Sequence, residues 1–352
     1  MITAINIILC GLGGVGKAFL NLLDERRDLI KSEYGLSLIL TAAIDIGGSA
    51  ITTENRGLDP GMLFDHLSRG RTVEVFKHHG VPGLSGEEAI LQSECHVLIE
   101  ATPTNLVDGE PGMTHVTTAL NKGMEVVSAN KGPLVLFYRD LHTLAASKNC
   151  GLHISAATAA ALPALDVGSI CLAGTRLLSA EGILNGTTNY ILTRMHLEQC
   201  SYDEALHSAQ EMGIAETDPR LDVEGLDTRN KMILIANRIF GKNFGLKDVP
   251  VKGITAITMD EIETAKQNGT VIKLIGECWT EDGTVHLKVG PKPLTVDHPL
   301  STVNFSEKGI SYLSDTMGRV TVTGGKSSPV GAAAALLKDL VQAFLFSTGQ
   351  RM

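Results

Sequence analysis

The chain has 352 residues, of which 43 % are hydrophobic and 20 % are charged, a composition typical of globular proteins and not of disordered ones. At ~150 residues per domain, this length predicts about two domains. The net charge of −9 and the 4 % of aromatic residues argue against a nucleic-acid partner, because an acidic surface repels phosphates and few rings are available to stack on bases. The amino-terminal apolar run is too short for a membrane span. Six scattered cysteines without a CxxC pair favour neither disulfides nor zinc, so we expect a cytoplasmic protein.

The first half of the chain alternates short apolar runs with helical periodicity. In chain order, the predicted elements include strands at 5–10, 38–44, 97–101 and 125–128 and helices at 114–122 and 133–151. The glycine-rich stretch from Gly47 to Gly61 predicts an excursion with little regular structure. Strands that alternate with helices indicate a Rossmann-like, doubly wound parallel sheet, which we assign to residues 1–150.

The pattern changes after about residue 150. Ser201 and Glu204 resemble a capping box at the start of a helix, and a longer amphipathic helix is expected from about Glu224 to Phe240. Closely spaced strand-like runs follow at 251–257, 270–278, 284–289, 309–314 and 320–323. They predict an antiparallel or mixed sheet covered by helices, an α+β domain over residues 151–329. The apolar last helix, 330–352, is expected to pack back onto the first domain.

A glycine motif follows the first predicted strand. Gly11, Gly13 and Gly16 form a GxGxxG pattern, with Gly14 and Val15 inside it, and a helix begins at the same point. Glycines allow the backbone to turn sharply and to approach a pyrophosphate, whose charge the helix N-terminus stabilises. The motif predicts a dinucleotide site, although a glycine-rich turn that binds no ligand has the same pattern.

Asp45 ends the second predicted strand, where a carboxylate accepts hydrogen bonds from the adenosine ribose. A carboxylate at this position repels a 2′-phosphate, and the first basic residue after it is Arg56. The cofactor is therefore expected to be NAD or NADP, with NAD favoured. The alternative is an aspartate that stabilises a turn.

Two further strands end in polar segments, at the sheet edge where open α/β sheets bind ligands. The segment Glu100–Asn105 contains Thr102 and Pro103, which we expect to contact the cofactor. The segment Ser128–Lys131 ends in a lysine that is able to reach the same crevice. An exposed surface lysine is the alternative.

Acidic residues precede a lysine in the segment from Glu216 to Lys231. Asp227 and Lys231 are four residues apart on the predicted helix and so share one face, while Asp218 and Asp222 lie in the loop before it. Carboxylates around one lysine suit the binding of a substrate ammonium and the positioning of a proton donor. A solvent-exposed salt bridge beside a solvated acidic loop is the alternative.

Taken together, these motifs resemble those of the homoserine dehydrogenase family over nearly the whole chain. The segments that carry the resemblance are Gly11–Gly16, Glu100–Asn105, Ser128–Lys131, Asn185–Tyr190 and Glu216–Lys231. The resemblance implies NAD(P)-dependent interconversion of L-homoserine and L-aspartate 4-semialdehyde, in threonine and methionine biosynthesis. It also implies a homodimer, and a short form without the regulatory domain of longer relatives.

The resemblance further implies roles for individual residues. Lys231 is expected to protonate the substrate oxygen, or to stabilise its charge, and Asp227 to orient Lys231. Lys131 is expected to lie near both the nicotinamide and the substrate. The residues expected to bind substrate are Glu216, Asp222 and Thr187.

One segment departs from the family pattern, with Ser155 where a glutamate is common and alanines where glycines are usual. Members of the family can bind a monovalent cation here through backbone oxygens. The resemblance thus implies a cation site formed by Ser155, Thr158, Ala160 and Leu162.

Two other functions are open to a chain of this pattern. A related phosphorylating semialdehyde dehydrogenase would act through a cysteine thioester, but no cysteine lies in a motif suited to that role. A dinucleotide-binding sensor or scaffold would have the same fold without turnover.

Overall fold

The structure is a computed structural model that describes residues 2–325 and 327–347, so the end of the predicted last helix, 348–352, lies outside the described residues. The strands in this part of the chain are β1 (Thr3–Cys10), β2 (Leu36–Asp45), β3 (Gly48–Ile51), β4 (Gly80–Pro82), β5 (Val97–Glu100), β6 (Glu125–Ser128), β7 (Leu152–His153), β8 (Leu177–Ile183), β9 (Thr270–Glu281), β10 (Thr284–Thr295), β11 (Lys308–Ser314) and β12 (Gly318–Gly324). The helices are α1 (Gly14–Tyr34), α2 (Pro60–Ser68), α3 (Gly86–Gln92), α4 (Gly112–Asn121), α5 (Lys131–Leu136), α6 (Tyr138–Ser147), α7 (Ser155–Thr158), α8 (Ala164–Asp166), α9 (Gly186–Glu198), α10 (Tyr202–Glu211), α11 (Arg220–Val223), α12 (Leu226–Phe240), α13 (Met259–Gln267) and α14 (Pro329–Ser347). None of the described helices is both long enough and apolar enough to cross a membrane.

The chain divides into two compact units. One contains the residues up to Ala160 and again those from Ser328, and the other contains Ala161–Ser327. The boundary expected from the sequence, between residues 150 and 151, lies slightly earlier in the chain.

The first unit is built on a sheet whose strands, all within residues 3–153, have the order β4-β3-β2-β1-β5-β6-β7. The strands β2, β1, β5, β6 and β7 are parallel, which confirms the predicted doubly wound sheet. β1 lies between β2 and β5, so the strands that follow β1 in the chain are added first on one side of it and later on the other. In open α/β sheets, ligands bind at such a switch point, outside the carboxyl ends of the strands.

The stretch from Gly47 to Gly61 contains one strand that was not predicted, β3, whereas residues 52–59 have little regular structure, as expected. β3 pairs antiparallel with β2, opposite residues 42–45, and with β4. Gly48 has φ +147, a backbone region that favours glycine, so the glycines here form the tight turn between β2 and β3. The glycine content therefore indicated a hairpin, which adds an antiparallel edge to the sheet.

The single helix expected from Pro133 to Gly151 is two helices in the structure. α5 begins before the proline, at Lys131, because the Asn130 side chain caps it by accepting from Gly132 N. Phe137 has φ −130 and ψ 34, which are not helical values, and so it separates α5 from α6.

The core of the first unit lies between the sheet and its helices. The central strand β1 is apolar on both faces, as is typical of parallel sheets that are covered on both sides, and Ile7, Ile8 and Leu9 are fully buried. The apolar side of α1 and that of α14, which packs against it, belong to the same cluster, through residues such as Phe19 and Leu340.

The second unit contains, in residues 177–324, a sheet with the strand order β10-β9-β8-β11-β12. Each neighbouring pair is antiparallel, one of the two arrangements that the sequence allowed. The helix α12 packs closely on this sheet, because a Cβ atom at Gly276 of β9 would lie 2.2 Å from Met232 Cγ of α12. The capping box of Ser201 and Glu204 is confirmed at the start of α10.

The strand predicted at 251–257 does not form. Only Val251 makes a bridge to β10, and the chain then crosses α11 so closely that a Cβ atom at Gly253 would lie 2.4 Å from Val223 O. Ile254 donates to that same oxygen at 2.8 Å. Ile254 and Ile257 are buried in an irregular segment, which an apolar pattern alone does not distinguish from a strand.

A buried carboxylate connects α14 to α7 within the first unit. Asp339 is 3 % exposed and accepts from the backbone N (2.9 Å) and Oγ (2.8 Å) of Ser155. We expect Asp339→Ala to lower the free energy of unfolding of this unit by about 2–4 kcal/mol, because it leaves the buried Ser155 N–H without an acceptor. Urea unfolding measures this change. Asp28→Ala, which removes an exposed aspartate from α1 of the same unit, is the matched control, and an equal effect of both variants would contradict the prediction.

Candidate functional site

The glycine loop brings the backbones of β1, β5 and α1 into close contact. A Cβ atom at Gly11 would lie 2.5 Å from Ala101 C, and one at Gly16 would lie 1.9 Å from Gly11 O. Gly11 also has φ +90, and its N donates to Ile44 O at 2.9 Å. No side chain fits at either position, so the loop requires both glycines.

The tip of the loop is open where a phosphate is expected. Gly13 and Gly14 are exposed, and a Cβ atom at Gly13 would meet nothing within 4 Å. Val15, beside them, is half-buried. The helix α1 has 21 residues and no acidic residue in its first turn, so its positive end is not neutralised by its own side chains. The loop therefore fits the pyrophosphate of a dinucleotide.

Asp45 is exposed at the carboxyl end of β2, and its Oδ1 accepts from Ile46 N at 2.9 Å. This bond is the turn interaction that the sequence offered as an alternative. It uses one carboxylate oxygen, so Oδ2 is still able to accept from a ribose hydroxyl.

A buried carboxylate, Glu100, organises the polar segment after β5. Glu100 is fully buried and accepts from Thr102 through the backbone N (2.8 Å) and through the hydroxyl. Its other oxygen lies 2.9 Å from Nδ1 of His115, which is also buried. These bonds fix the conformation of Thr102 beside the glycine loop, while Pro103 next to it is exposed.

The segments after β5 and β6 meet, as expected for neighbouring parallel strands. Asn130 Nδ2 donates to Thr102 Oγ1 at 2.9 Å. Lys131 N donates to Thr104 Oγ1 at 3.4 Å, and the Lys131 side chain is half-buried at the start of α5. The structure thus brings Thr102 and Lys131 to one edge of the sheet in the first unit.

The acidic residues of the second unit meet at the side chain of Asn185, between β8 and α9. Asn185 Oδ1 accepts from Thr188 N at 3.0 Å and so caps α9. Its Nδ2 donates to Asp222 at 2.6 Å and to Asp227 at 3.1 Å. One amide therefore holds the carboxylate of α11 beside that of α12.

Lys231 completes this cluster. Its Nζ donates to Asp227 Oδ2 at 2.6 Å and to Leu184 O at 2.9 Å, and both charged side chains are 16 % exposed. An exposed surface salt bridge, the alternative offered by the sequence, does not describe a pair this buried and connected to a backbone carbonyl.

The other predicted substrate residues lie at different depths. Thr187 is buried and donates to Ile214 O at 3.0 Å. Glu216 is exposed, and its backbone oxygen accepts from Gln210 at 3.2 Å. Asp218, which the sequence grouped with the other carboxylates, bonds instead to Arg220, whose guanidinium lowers the pKa of Asp218 to about 2.

The residues expected to bind a cation already have hydrogen-bond partners or strained backbone. Ser155 O accepts from the Thr158 hydroxyl at 2.8 Å, and Leu162 O accepts from Ala164 N at 2.8 Å. Ala160 has φ +53, the left-handed region where the family's glycine would be unstrained.

Several polar residues of these sites were not assigned from the sequence. Asn185 has a local signal, because an asparagine between a strand and a helix is typical of a helix cap. The buried His115 and Lys308 have none, since their positions depend on contacts between distant segments.

Comparisons with known proteins identify the family of this chain. The family model for homoserine dehydrogenase matches residues 163–341. A homoserine dehydrogenase of Methanocaldococcus jannaschii is 36 % identical over 96 % of this chain and 98 % of its own, and an NAD(+)-dependent homoserine dehydrogenase of Pseudomonas canavaninivorans is 34 % identical over 96 % of each. A solved homoserine dehydrogenase structure from Thiobacillus denitrificans has a TM-score of 0.83 at 25 % identity, covering 99 % of this chain and 75 % of that one. The chain belongs to the homoserine dehydrogenase family.

Proposed function

We propose that this enzyme interconverts L-homoserine and L-aspartate 4-semialdehyde with a nicotinamide dinucleotide. The observation that carries the proposal is the Lys231–Asp227 hydrogen bond of 2.6 Å inside an acidic, half-buried cluster. A positioned lysine beside carboxylates suits a substrate with one ammonium group and one oxygen that gains or loses a proton.

The acidic side chains suit the substrate ammonium. Asp222, in α11, is half-buried and is held by Asn185, and Glu216 is exposed in the segment that precedes α11. Carboxylates attract a cation and orient it by charge-assisted hydrogen bonds. Thr187, in the first turn of α9, donates to Ile214 O, two residues before Glu216, and is proposed to contact the substrate.

In the reducing direction, the bound dinucleotide supplies the hydride that adds to the aldehyde carbon. The carbonyl electron pair then moves to the oxygen, and the Lys231 ammonium gives a proton to that oxygen, which leaves a neutral amine. Asp227 orients Lys231 through its hydrogen bond, and the Leu184 carbonyl holds a second N–H of the same ammonium. In the oxidising direction, the neutral amine takes the hydroxyl proton.

The cysteines disfavour the thioester alternative. Burial raises the pKa of the Cys10, Cys95, Cys150, Cys200 and Cys278 thiols, in the last case to about 12. A raised thiol pKa lowers the fraction of the nucleophilic thiolate. The sixth cysteine, Cys171, is exposed in a short π-helical turn and belongs to none of the motifs described above.

Turnover tests the proposal directly. The purified enzyme is expected to oxidise NADH or NADPH in the presence of L-aspartate 4-semialdehyde, with L-homoserine as the product. The absorbance at the dihydronicotinamide band measures the rate. Dinucleotide binding without turnover would reject the proposal and favour the sensor function.

The role of Lys231 has its own test. We expect Lys231→Met to lower kcat by about 10²–10⁴-fold, the usual contribution of a positioned proton donor, while dinucleotide affinity changes little. Steady-state kinetics and a dinucleotide fluorescence titration measure the two quantities. Lys266→Met, which removes an exposed lysine from α13, is the control. An unchanged kcat in Lys231→Met would exclude proton transfer by this residue.

We further propose that the cofactor preference depends on Asp45. Its exposed carboxylate at the end of β2 favours NAD, because it repels the 2′-phosphate of NADP. In Asp45→Ser, the ratio of kcat/KM for NADH to that for NADPH is expected to fall about 10-fold, as one charged hydrogen bond is lost and one repulsion removed. Asp28→Ser, with the same charge change on α1, should leave the ratio unchanged. A ratio that stays constant in Asp45→Ser would assign the preference to other groups.

Three finer expectations stay predictions. They are the homodimer, the cytoplasmic location and the monovalent cation at Ser155, Thr158, Ala160 and Leu162. The strands β10 and β12 support the first, because they form the edges of the second sheet in the described residues.

A further inference from the structure

A second buried lysine, Lys308, faces the proposed proton donor. Lys308 is the first residue of β11 and is 2 % exposed. β11 pairs with β8 so that Gly309 lies opposite Ile183, the residue before Leu184. Lys308 therefore begins its strand next to Leu184, whose carbonyl accepts from Lys231.

The pleat of the sheet directs Lys308 toward α12. Gly276, Gly182 and Ile310 are paired across three strands, so they face the same side. That side is covered by α12, since a Cβ atom at Gly276 would overlap Met232. Lys308 is two residues from Ile310, so it lies on this face as well. It lies opposite Leu184, whose carbonyl accepts from Lys231 of α12.

The segment that carries Lys308 is held against α9. Asn189 Nδ2 donates to Glu307 O at 3.1 Å, and a Cβ atom at Gly186 would lie 3.0 Å from Ser306 O. The two residues just before the buried lysine are therefore held by contacts with α9.

The charged groups near Lys308 come chiefly from α12. They are Lys231 and Asp227, and Asp222 of α11 is connected to Asp227 through Asn185. The first turn of α9, residues 186–189, has no titratable side chain, and Glu181 of β8 bonds instead to Lys292 and His298. Burial, and to a smaller extent the charge of Lys231, lowers the pKa of Lys308 to about 8, although the charge of Asp227 opposes this effect.

We propose that Lys308 is a positioning residue, whose charge beside Asp227 sets the pH range in which Lys231 can pass a proton to or from the substrate. This inference rests on the proposed function. A cation next to Asp227 competes with Lys231 for that carboxylate and repels the Lys231 ammonium directly. Both effects favour the loss of a proton from the Lys231–Asp227 pair at lower pH.

The test compares Lys308→Met with Lys308→Arg. Methionine has a similar length and no charge, so the alkaline limb of kcat for semialdehyde reduction is expected to move to higher pH. The shift is at most about one unit, the size of a charge interaction at an effective dielectric constant of ~20. It is smaller than a fixed charge would give, because Lys308, with a pKa of about 8, has itself lost part of its charge at alkaline pH. Arginine keeps its charge at every pH. The alkaline limb of kcat in Lys308→Arg is therefore expected at the same pH as in the wild type or at a lower pH. The alkaline fall in kcat should extend over a wider pH interval in the wild type than in Lys308→Met, because two coupled lysines titrate in one range.

Controls separate this role from packing. Lys266→Met removes one exposed positive charge and should leave the pH profile unchanged, and thermal unfolding shows whether each variant is folded. An alkaline limb that stays in place in folded Lys308→Met, or that moves upward equally in the methionine and arginine variants, would overturn the inference.

A second measurement does not depend on turnover. In protein labelled with ¹³C at lysine Cε, the resonance missing from Lys231→Met belongs to Lys231. Its titration midpoint is expected to move to higher pH in Lys308→Met. An enzyme without turnover would refute the proposed function alone, whereas an unchanged midpoint would refute the inference about Lys308.

Discussion

The proposed substrate cluster of the second unit, Asp222, Asp227 and Lys231, depends on the side-chain amide of Asn185. Its oxygen caps α9, and its nitrogen bridges the carboxylates of Asp222 and Asp227. Two neighbouring carboxylates repel each other, and the bridge offsets this repulsion with hydrogen bonds that carry no net charge. Because an amide does not titrate, Asn185 itself keeps both N–H donors at every pH.

In the first unit, a carboxylate has the corresponding role. Glu100 is fully buried and gathers donors from Thr102 and His115. A buried charge of this kind is costly unless hydrogen bonds surround it, and the same bonds then fix the backbone that carries them. Buried hydrogen bonds therefore fix the backbone at the edge of the parallel sheet. The exposed loop at Gly13 contributes no side chain to this network.

Local signals were sufficient to predict much of this molecule. The spacing of the glycines predicted the loop between β1 and α1, and the spacing of Asp227 and Lys231 placed both on one face of a helix that does form. Errors arose where a distant segment decided the structure. Gly253 passes close to Val223 O, so an apolar run forms no strand there, and the environment of Lys308 comes from the pairing of β8 with β11. Such contacts leave no periodic trace in the sequence.

The bridge at Asn185 also affects the chemical lifetime of the chain. Asn185 is followed by Gly186, and asparagine before glycine is the dipeptide in which the side chain cyclises most readily onto the next backbone nitrogen, a route to thermal damage. In the folded chain this cyclisation is opposed, because both ends of the amide are engaged and Gly186 is the first residue of a helix. Once the chain unfolds, hydrolysis of the ring converts the amide into a third carboxylate. A refolded molecule would then have three acids where two were bridged, and it would lack the donor that holds Asp222 beside Asp227.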